Sequence, residues 1–589
     1  MSTGSTIPTP ATPDVCTVDL LMDGAAVPGE YHVMSIAVRK EVNRIPTATI
    51  QIRDGEAAKT TFQASNSDLF IPGKKIEIKL GYRSQNDTVF KGIVVRHGIS
   101  VRKSGSILTI DCRDEAVRMS VGLKSRYFVD MKDSEVIEQV VDSYKFGKEV
   151  QATKPDLKEI TQYNSTDWDF LLLRAEANGM VVIASDGKIT VNAPATAGDP
   201  VVTAGFGSTL LELDADIDAR RQSKGIVARS WNPSDQQVLE AEAREPGRSS
   251  SGNLAPGDLA GILGSDPHQL RHGGKLGQPE LQAWANGRLL TERLSQVRGR
   301  VRFQGFAGVV PGKVMELTGV GDRFQGNVYV SGVRHLVDNG NWETDVQFGL
   351  ATETFAESFD LRPMPAAGLI PGVTGLQMAV VTVLEKDPQG EDRIKVRLPL
   401  VSKAEEGIWA RLATLDAGKG RGTFFRPEIG DEVVVGFLWD DPRHPVVLGM
   451  CHSSAKPAPE PAKDKNHRKG YVSRSRMKLT FDDDNKVVQL ETPKGNRLTL
   501  AEDKKGVIIQ DQNGNKITLD DQGVRIESSK DLTLKAAKNL KIECGSNLDL
   551  SAQMALKAAG SASTELSGAS TTIKGSAKTV IQGGIVQIN

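Results

Sequence analysis

Apolar and polar residues alternate through most of the chain, in runs too short for helices. TATIQIRDG (47–55) and KKIEIKLGY (74–82) are typical, and the pattern holds from Val15 to about Val121. A period of two points one side of each strand inward, so a β-rich fold is expected. Helical spacing interrupts it three times. In DMKDSEVIEQVVDSYKF (130–146), Val136, Ile137, Val140 and Val141 share a face, with Ser134 as the expected N-cap. TDWDFLLLRAEANG (166–179) predicts a second helix, capped by Thr166 or Asp167 and stopped at Gly179. LQAWANGRLLTERLSQ (281–296) predicts a third.

The end of the chain has a longer period. From Asn515 it reads in octads: NKITLDDQ, GVRIESSK, DLTLKAAK, NLKIECGS, NLDLSAQM, ALKAAGSA, STELSGAS. Ile517/Leu519, Val524/Ile526, Leu532/Leu534, Leu540/Ile542 and Leu548/Leu550 occupy equivalent positions, and Leu566, Ile573 and Ile581 continue the period after a slip near Ser570. Each octad predicts a short strand and a turn. Two or three inward side chains cannot make a core within one chain, so neighbours must share one. A single-chain solenoid needs longer coils, built of hexads in threes or Gly/Asp-rich nonads, and neither pattern is present. Three chains around one axis, bending at corners such as Gly545, Gly560 and Gly568, fit instead. About nine octads would give a needle of roughly 40–50 Å. RMKLTFDDDNKVVQLETPKGNRLTLAEDKKGVIIQ (476–510) alternates without clean octads and is expected to form a wider base.

Composition narrows the classes. A chain of 589 residues predicts roughly three to five domains. Lysines and arginines (73) balance acids (74), which gives no global attraction to nucleic acid or anionic membranes. The run AAGLIPGVTGLQMAVVTVL (366–384) is broken by Pro371, Gly372 and Gly375 and reads as a linker and a strand. The opening MSTGSTIPTPATPD lacks a basic and an apolar region, so a flexible tail is expected rather than a secretion signal. Cys16, Cys112, Cys451 and Cys544 are scattered singly and predict no disulfide framework.

Several motifs together resemble the VgrG-like spike proteins of contractile injection systems, a family spanning type VI secretion and extracellular phage-tail-like particles and related to myophage tail hub and needle proteins. EVNRIPTATIQIRDG (41–55), IPGKKIEIKLGY (71–82) and VFKGIVVRHGI (89–99) look like its first hub domain. QYNSTDWDFLLLRAEANGM (162–180) is similar to its most specific N-terminal helix, through Asp167, Trp168, Asp169 and Phe170. GRVRFQGFAGVVPGKVMELTGVGDRFQGNVYVSGVRH (299–335) looks like the second hub barrel. DPQGEDRIKVRLP (387–399) and WARLATLDAGKGRGTFFRPEIGDEVVVGFLWDDPRHPVVLGM (409–450) are close to its OB-type domain, with Trp409, Gly430, Asp431, Glu432, Pro442, Pro445 and Gly449 as motif positions.

The resemblance implies a mainly β chain with minor α. Its expected organisation is a flexible tail (1–14), a first hub β-barrel (15–125), an α/β hub domain with the DWDF helix (126–243) and a Gly/Ser/Pro-rich insertion (244–280). A second hub barrel (281–360), a linker (361–374), an OB-type barrel (375–452), a Lys/Pro-rich tether (453–471) and an octad needle (472–589), an intertwined trimeric β-helix, complete it. The implied function is mechanical: a homotrimer that adapts a hexameric inner tube and baseplate proteins to a threefold needle, driven through a target envelope on sheath contraction. A PAAR-type tip protein and effector cargo are implied partners, and the target membrane is met only on puncture. Synthesis in the bacterial cytoplasm and assembly into a contractile particle are expected, with the hub motifs and short needle leaning toward an extracellular one.

Sharper chemistry has little to stand on. An OB barrel that binds nucleic acid needs exposed aromatics over a basic groove, and Trp409 and Trp439 are expected to be buried packing residues. Gly418, Gly420, Gly422 and Gly430 are expected to serve turns. His444, Cys451 and His452, with His467 downstream, match no zinc spacing. No catalytic, cofactor or metal residues are assigned, and no enzyme is expected. The alternative is a surface carbohydrate-binding, adhesin-like β-solenoid.

Overall fold

The computed structural model describes residues 7–8, 15–195, 197–247, 251–264, 266–503 and 505–588. It is mainly β and divides into two units: Met1–Thr374 with Trp439–Pro442, and Gly375–Leu438 with Arg443–Asn589. Of the expected flexible tail, 1–6 and 9–14 lie outside the described residues. Ile7 does not fit a loose tail, because it is buried among Val202, Val301, Phe303 and Val330.

The first unit is built on one thirteen-stranded sheet. The expected first barrel supplies Cys16–Met22, His32–Glu41, Thr47–Arg53, Lys75–Tyr82, Gln85–Arg102 and Gly105–Arg113. The expected second supplies Val297–Gln304, Gly326–Asp338 and Asn341–Phe348. Each half keeps its own core, one around Ile36, Ile50, Phe90 and Ile110, the other around Val301, Phe303, Val330 and Phe348. The halves are nevertheless hydrogen-bonded together, because Gly326–Asp338 pairs antiparallel with His32–Glu41 from Gly332↔Glu41 to Asp338↔Ser35. In that seam His335 is buried against Thr344, and burial, helped by the Lys40 ammonium, pushes its imidazole down to about 3.

Between the halves lie two helices, α1 (Asp133–Asp142) and α2 (Asp167–Ala177), packed on a three-stranded sheet of Gly147–Val150, Val181–Ser185 and Lys188–Asn192. Val136, Ile137, Val140 and Val141 are buried as their spacing predicts. Ser134 is not the cap: it lies inside the first turn and exchanges hydrogen bonds with Thr153, while Glu135 accepts the Lys132 N–H. Thr166 caps α2 by accepting the Asp169 N–H at 3.0 Å. Gly179 ends it with φ +67°, at a point where any Cβ would lie 2.4 Å from the Gly287 Cα.

Residues 244–280, expected as a Gly/Ser/Pro-rich insertion, are more structured than their composition suggests. They hold α3 (Pro256–Ile262) and a strand, His268–His272, which pairs in parallel with Ile226–Asn232. With Gln237–Glu242 these strands pack on α4 (Gln278–Leu294), around Ile226, Ala228, Ala241, Leu281, Ala285 and Leu289. In HQLRH only Leu270 packs against that core, too little alternation to read as a strand.

The second unit opens with a closed five-stranded barrel of Gln377–Val383, Ile394–Arg397, Ile408–Leu412, Glu432–Phe437 and Pro445–Met450. Its core is small: Ala379, Val381, Ile394, Val396, Ala410, Val433, Val435 and Val447. Glu432 and Pro445 open two of the strands, Gly449 faces Val434, and Pro442 lies in the turn before Pro445. Asp431 accepts the Glu428 N–H and pairs with Lys456. Gly420 and Gly430 have positive φ and serve turns, whereas Gly418 and Gly422 lie in the two short paired strands on either side of Gly420. The tryptophans are not core residues. Trp409 is half-buried under the Lys395 ammonium, and Trp439 is 50% exposed.

The DWDF motif is an anchor, and its chemistry yields a prediction. Trp168 and Phe170 are buried, Phe170 stacked on Phe128. Asp169 stays in the first turn, its N–H held by Thr166. The Asp167 carboxylate is fully buried and accepts from Lys124 (2.6 Å), Arg126 (2.6 Å), Tyr144 (2.7 Å) and Gln162 (2.9 Å). Burial pushes its pKa up, but these donors outweigh it and hold the carboxyl below the ordinary range. Asp167→Asn leaves two cations without their counter-charge. It should cost about 2–3 kcal/mol, less than a fully buried pair because Lys124 and Arg126 keep some exposure. Since the folded pKa is depressed, the wild-type contribution is complete above about pH 4 and fades as pH falls toward the folded value. The difference in urea midpoint between wild type and variant, followed by tryptophan fluorescence, should therefore shrink as pH falls below that value.

Candidate functional site

The C-terminal sheet is a meander of Arg468–Val472, Lys478–Asp482, Val487–Glu491, Arg497–Ala501, Gly506–Gln510, Lys516–Asp520 and Gly523–Glu527. Its seven strands pair antiparallel, each with its sequence neighbours. The first strand begins inside the expected tether (453–471). Residues in register share a face, and here the register lines up apolar side chains. Tyr471, Leu479, Leu490, Leu498, Ile509, Ile517 and Ile526 form one column. Two residues along, Lys469, Phe481, Val488, Leu500, Val507, Leu519 and Val524 form a second on the same face. The other face carries Gly470, Thr480, Gln489, Thr499, Ile508, Thr518 and Arg525, mostly small or polar.

An antiparallel sheet with one apolar face ordinarily packs it on a core. Among the described residues the Phe425 ring meets Tyr471 at 4.8 Å, yet Tyr471, Leu490 and Ile526 keep about half their surface exposed, at 50%, 52% and 52%. The turns, in contrast, are fully built. Asp482 accepts the N–H groups of Asp484 and Asn485, and Asp511 those of Asn513 and Asn515. Burial pushes the Asp511 carboxyl up, but those N–H groups and the two Asn amides hold it low. The sheet is locally complete and lacks only a lid.

The expected needle core divides in two. Ile517, Leu519, Val524 and Ile526 belong to the last hairpin of the meander, paired Ile517↔Ile526 and Leu519↔Val524. The first two octads are thus hairpin strands of the base. Leu532, Leu534, Leu540, Ile542, Leu548, Leu550, Leu566, Ile573 and Ile581 lie beyond it, with exposures from 55% (Leu548) to 78% (Leu566). The strands expected there do not form within one chain. Among the described residues from 531 to 588 there is no strand, helix or backbone–backbone hydrogen bond. The physical reason is direct: a strand needs a neighbour, and the chain does not turn back to supply one. The residues that sequence reasoning left unassigned are the upper columns, Tyr471 to Val507. Their signal was the period of two between turns rich in Asp, Asn and Gly.

Elsewhere the polar groups are engaged with one another. A cavity of about 1060 Å³ in the first unit carries Asp214 on Arg300 and Glu353 on Arg221. Around His444, Cys451, His452 and His467, no cluster of three metal-type ligands forms among the described residues.

Comparison with known proteins agrees with this layout. Residues 12–339 match the model of the Alg8 N-terminal domain, 377–452 that of the type VI secretion system/phage-baseplate injector OB domain, and 486–589 that of the phage baseplate V C-terminal trimerisation domain. The type VI secretion system spike protein VgrG1b of Pseudomonas aeruginosa is 30% identical over 214 residues, which cover 33% of this chain and 28% of that one. VgrG3 of Vibrio cholerae is 30% identical over 131 residues, 19% of this chain and 12% of that one. The matched segments thus span under a third of these relatives. Among solved structures, a tail protein from Neisseria meningitidis aligns at TM-score 0.43 and 13% identity, covering 58% of this chain and 99% of that one. An E. coli component of the type VI secretion system aligns at 0.35 and 12%, covering 73% and 99%. With an Alg8-type N-terminal domain, an injector OB domain and a baseplate trimerisation domain in that order, the chain belongs to the VgrG-like family of contractile injection system spike proteins.

Proposed function

We propose that the chain works as a homotrimeric spike, whose needle is pushed through a target envelope when a surrounding sheath contracts. The observation that carries this reading is the pair of uncovered apolar columns, continued by a tail whose apolar pairs recur every eight residues. Three such sheets, apolar faces inward, would enclose a dry prism. Three tails wound around the same axis would give every strand a neighbour. The match to a trimerisation domain over 486–589 supports the same number. The role is structural and needs no enzymatic step. The hub is read as the adaptor that meets the hexameric inner tube and baseplate proteins. The needle end is read as the seat of a PAAR-type tip protein, and effector cargo as a passenger.

The solution mass of the purified full chain tests this. Light scattering should give about three times 63.5 kDa, and a chain ending at Val472 should be monomeric with a folded hub. A well-folded full-length monomer would overturn the spike and favour the carbohydrate-binding alternative. A point substitution gives a second check. Leu498→Asp places a charge mid-column, where three copies would meet around one axis. It should abolish or strongly weaken the trimer, since an unpaired buried charge costs several kcal/mol. Thr499→Asp, one residue away on the polar face, should leave the mass unchanged.

A further inference from the structure

The turns of the C-terminal meander alternate between its two edges, and the edges differ in charge. One edge carries turns 483–486, 502–505 and 521–522; the other carries 473–477, 492–496, 511–515 and the exit at 528–530. On the first, Asp484, Asp503 and Asp521 are exposed and pair with no lysine or arginine among the described residues. The cations Lys469 and Lys486 of that side are engaged by Asp483 and Glu502, which leaves Lys505 among the described residues, with Lys504 outside them. On the second, Arg476, Lys494 and Lys530 are exposed and make no ion pair among the described residues. The one acid in its turns, Asp511, is saturated by hydrogen bonds from its own loop.

We infer that the two edges dock onto each other between copies of this chain, the acidic edge of one against the basic edge of the next, and so select a parallel cyclic order. The inference rests on the trimeric reading above and adds what fixes the direction of the chains. When three sheets form the sides of a prism, strands run across each side and the turns lie at the corners. Rotation about the long axis brings one edge of each copy to the opposite edge of its neighbour. A two-fold axis along the strands would instead bring acidic to acidic and basic to basic. The apolar columns alone do not distinguish these arrangements, since either would cover them. The charges do, by penalising the antiparallel one. Only the parallel one sends all the tails out of the same end.

The spacing of the turns supports the fit. Successive turns on one edge are two strands apart, roughly 9–10 Å, and the two edges are offset by one strand. In a threefold arrangement each acidic turn therefore falls level with the gap between two basic turns of the neighbour. Exposed pairs contribute little stability one at a time, so their main effect is on which assembly forms.

Three variants of the full chain test this. The first reverses the acidic edge (Asp484→Lys, Asp503→Lys, Asp521→Lys). The second reverses the basic edge (Arg476→Glu, Lys494→Glu, Lys530→Glu), and the third carries both sets. Mass and thermal dissociation midpoint are read at low salt and near 1 M salt, where the screening length is about 3 Å. Each single-edge variant should lose several degrees at low salt and recover at high salt. The double variant, complementary again, should match the wild type at both. A double variant that loses as much as the two single ones combined would overturn the inference, as would a trimer indifferent to every reversal. A monomeric wild type would instead overturn the trimeric reading and this inference with it, and the mass alone separates that case.

Discussion

A β-strand needs a neighbour for its backbone and a cover for its apolar face, and from Arg468 onward this chain supplies progressively less of both. The meander gives each strand its neighbours but leaves one face bare. The tail beyond Glu527 lacks even the neighbours. Fixing a residue costs about 1–2 kcal/mol of backbone entropy, so ordering an octad costs roughly 8–16 kcal/mol. Its one apolar pair, fully buried, contributes only about 3–6 kcal/mol. Backbone hydrogen bonds, about 0.5–1.5 kcal/mol net each, must supply the rest, and within one chain they are not made. An ordered tail therefore presupposes other strands beside it. This single deficit links the exposed columns, the octad period and the family match.

The first unit shows the opposite economy. It buries two β cores and an α/β layer, ties them with one continuous sheet, and draws Ile7 back from near the start to fill the second core. Its most demanding group, the buried Asp167 carboxylate, finds four donors inside the chain. A hub that is self-sufficient and a C-terminal region that is not form a sensible division. On the trimeric reading, the first would fold as each chain is made, whereas the second would wait for other copies, so that its stability would depend on concentration.

The legibility of the sequence runs along the same line. Strand alternation, the helices with Val136 and Leu171, and the barrel were legible because each is a local pattern closed by local contacts. The joining of the two hub halves was not, since the Gly332↔Glu41 pairing spans most of the unit and leaves no local mark. The strand inside the insertion was not legible because HQLRH borrows its β character from Ile226–Asn232 rather than from its own residues. Trp439 was expected inside on the strength of residue type, whereas it sits at φ +55° in a tight turn, half exposed. The apolar period set the expected needle core, but its first two octads are hairpin strands of the meander. Ile517 and Val524 repeat in phase with Leu532, so hydrophobicity alone does not separate a hairpin from the tail beyond it.

Turn chemistry does separate them. Through DDDN, PKGN, DQNGN and DDQG, side chains of Asp482, Thr492, Asp511 and Asp520 accept backbone N–H groups of their own loops and fold the chain back on itself. Past Glu527 the connecting residues are chiefly Ala, Ser, Lys and Gly, and beyond 531 the one such bond among the described residues is Gly560 N–H to Thr564. A chain that reverses at every turn keeps its own sheet, which can meet two others only through side chains. A chain that stops reversing has to pass onward to the next face. On the trimeric reading, the base would then be three sheets pressed together, and the tip three chains wound around one another. Sheets pressed together separate by sliding, but wound chains separate only by unwinding from the end. The change in turn residues near 528 would thus mark where an assembly held by side chains gives way to one held by its topology.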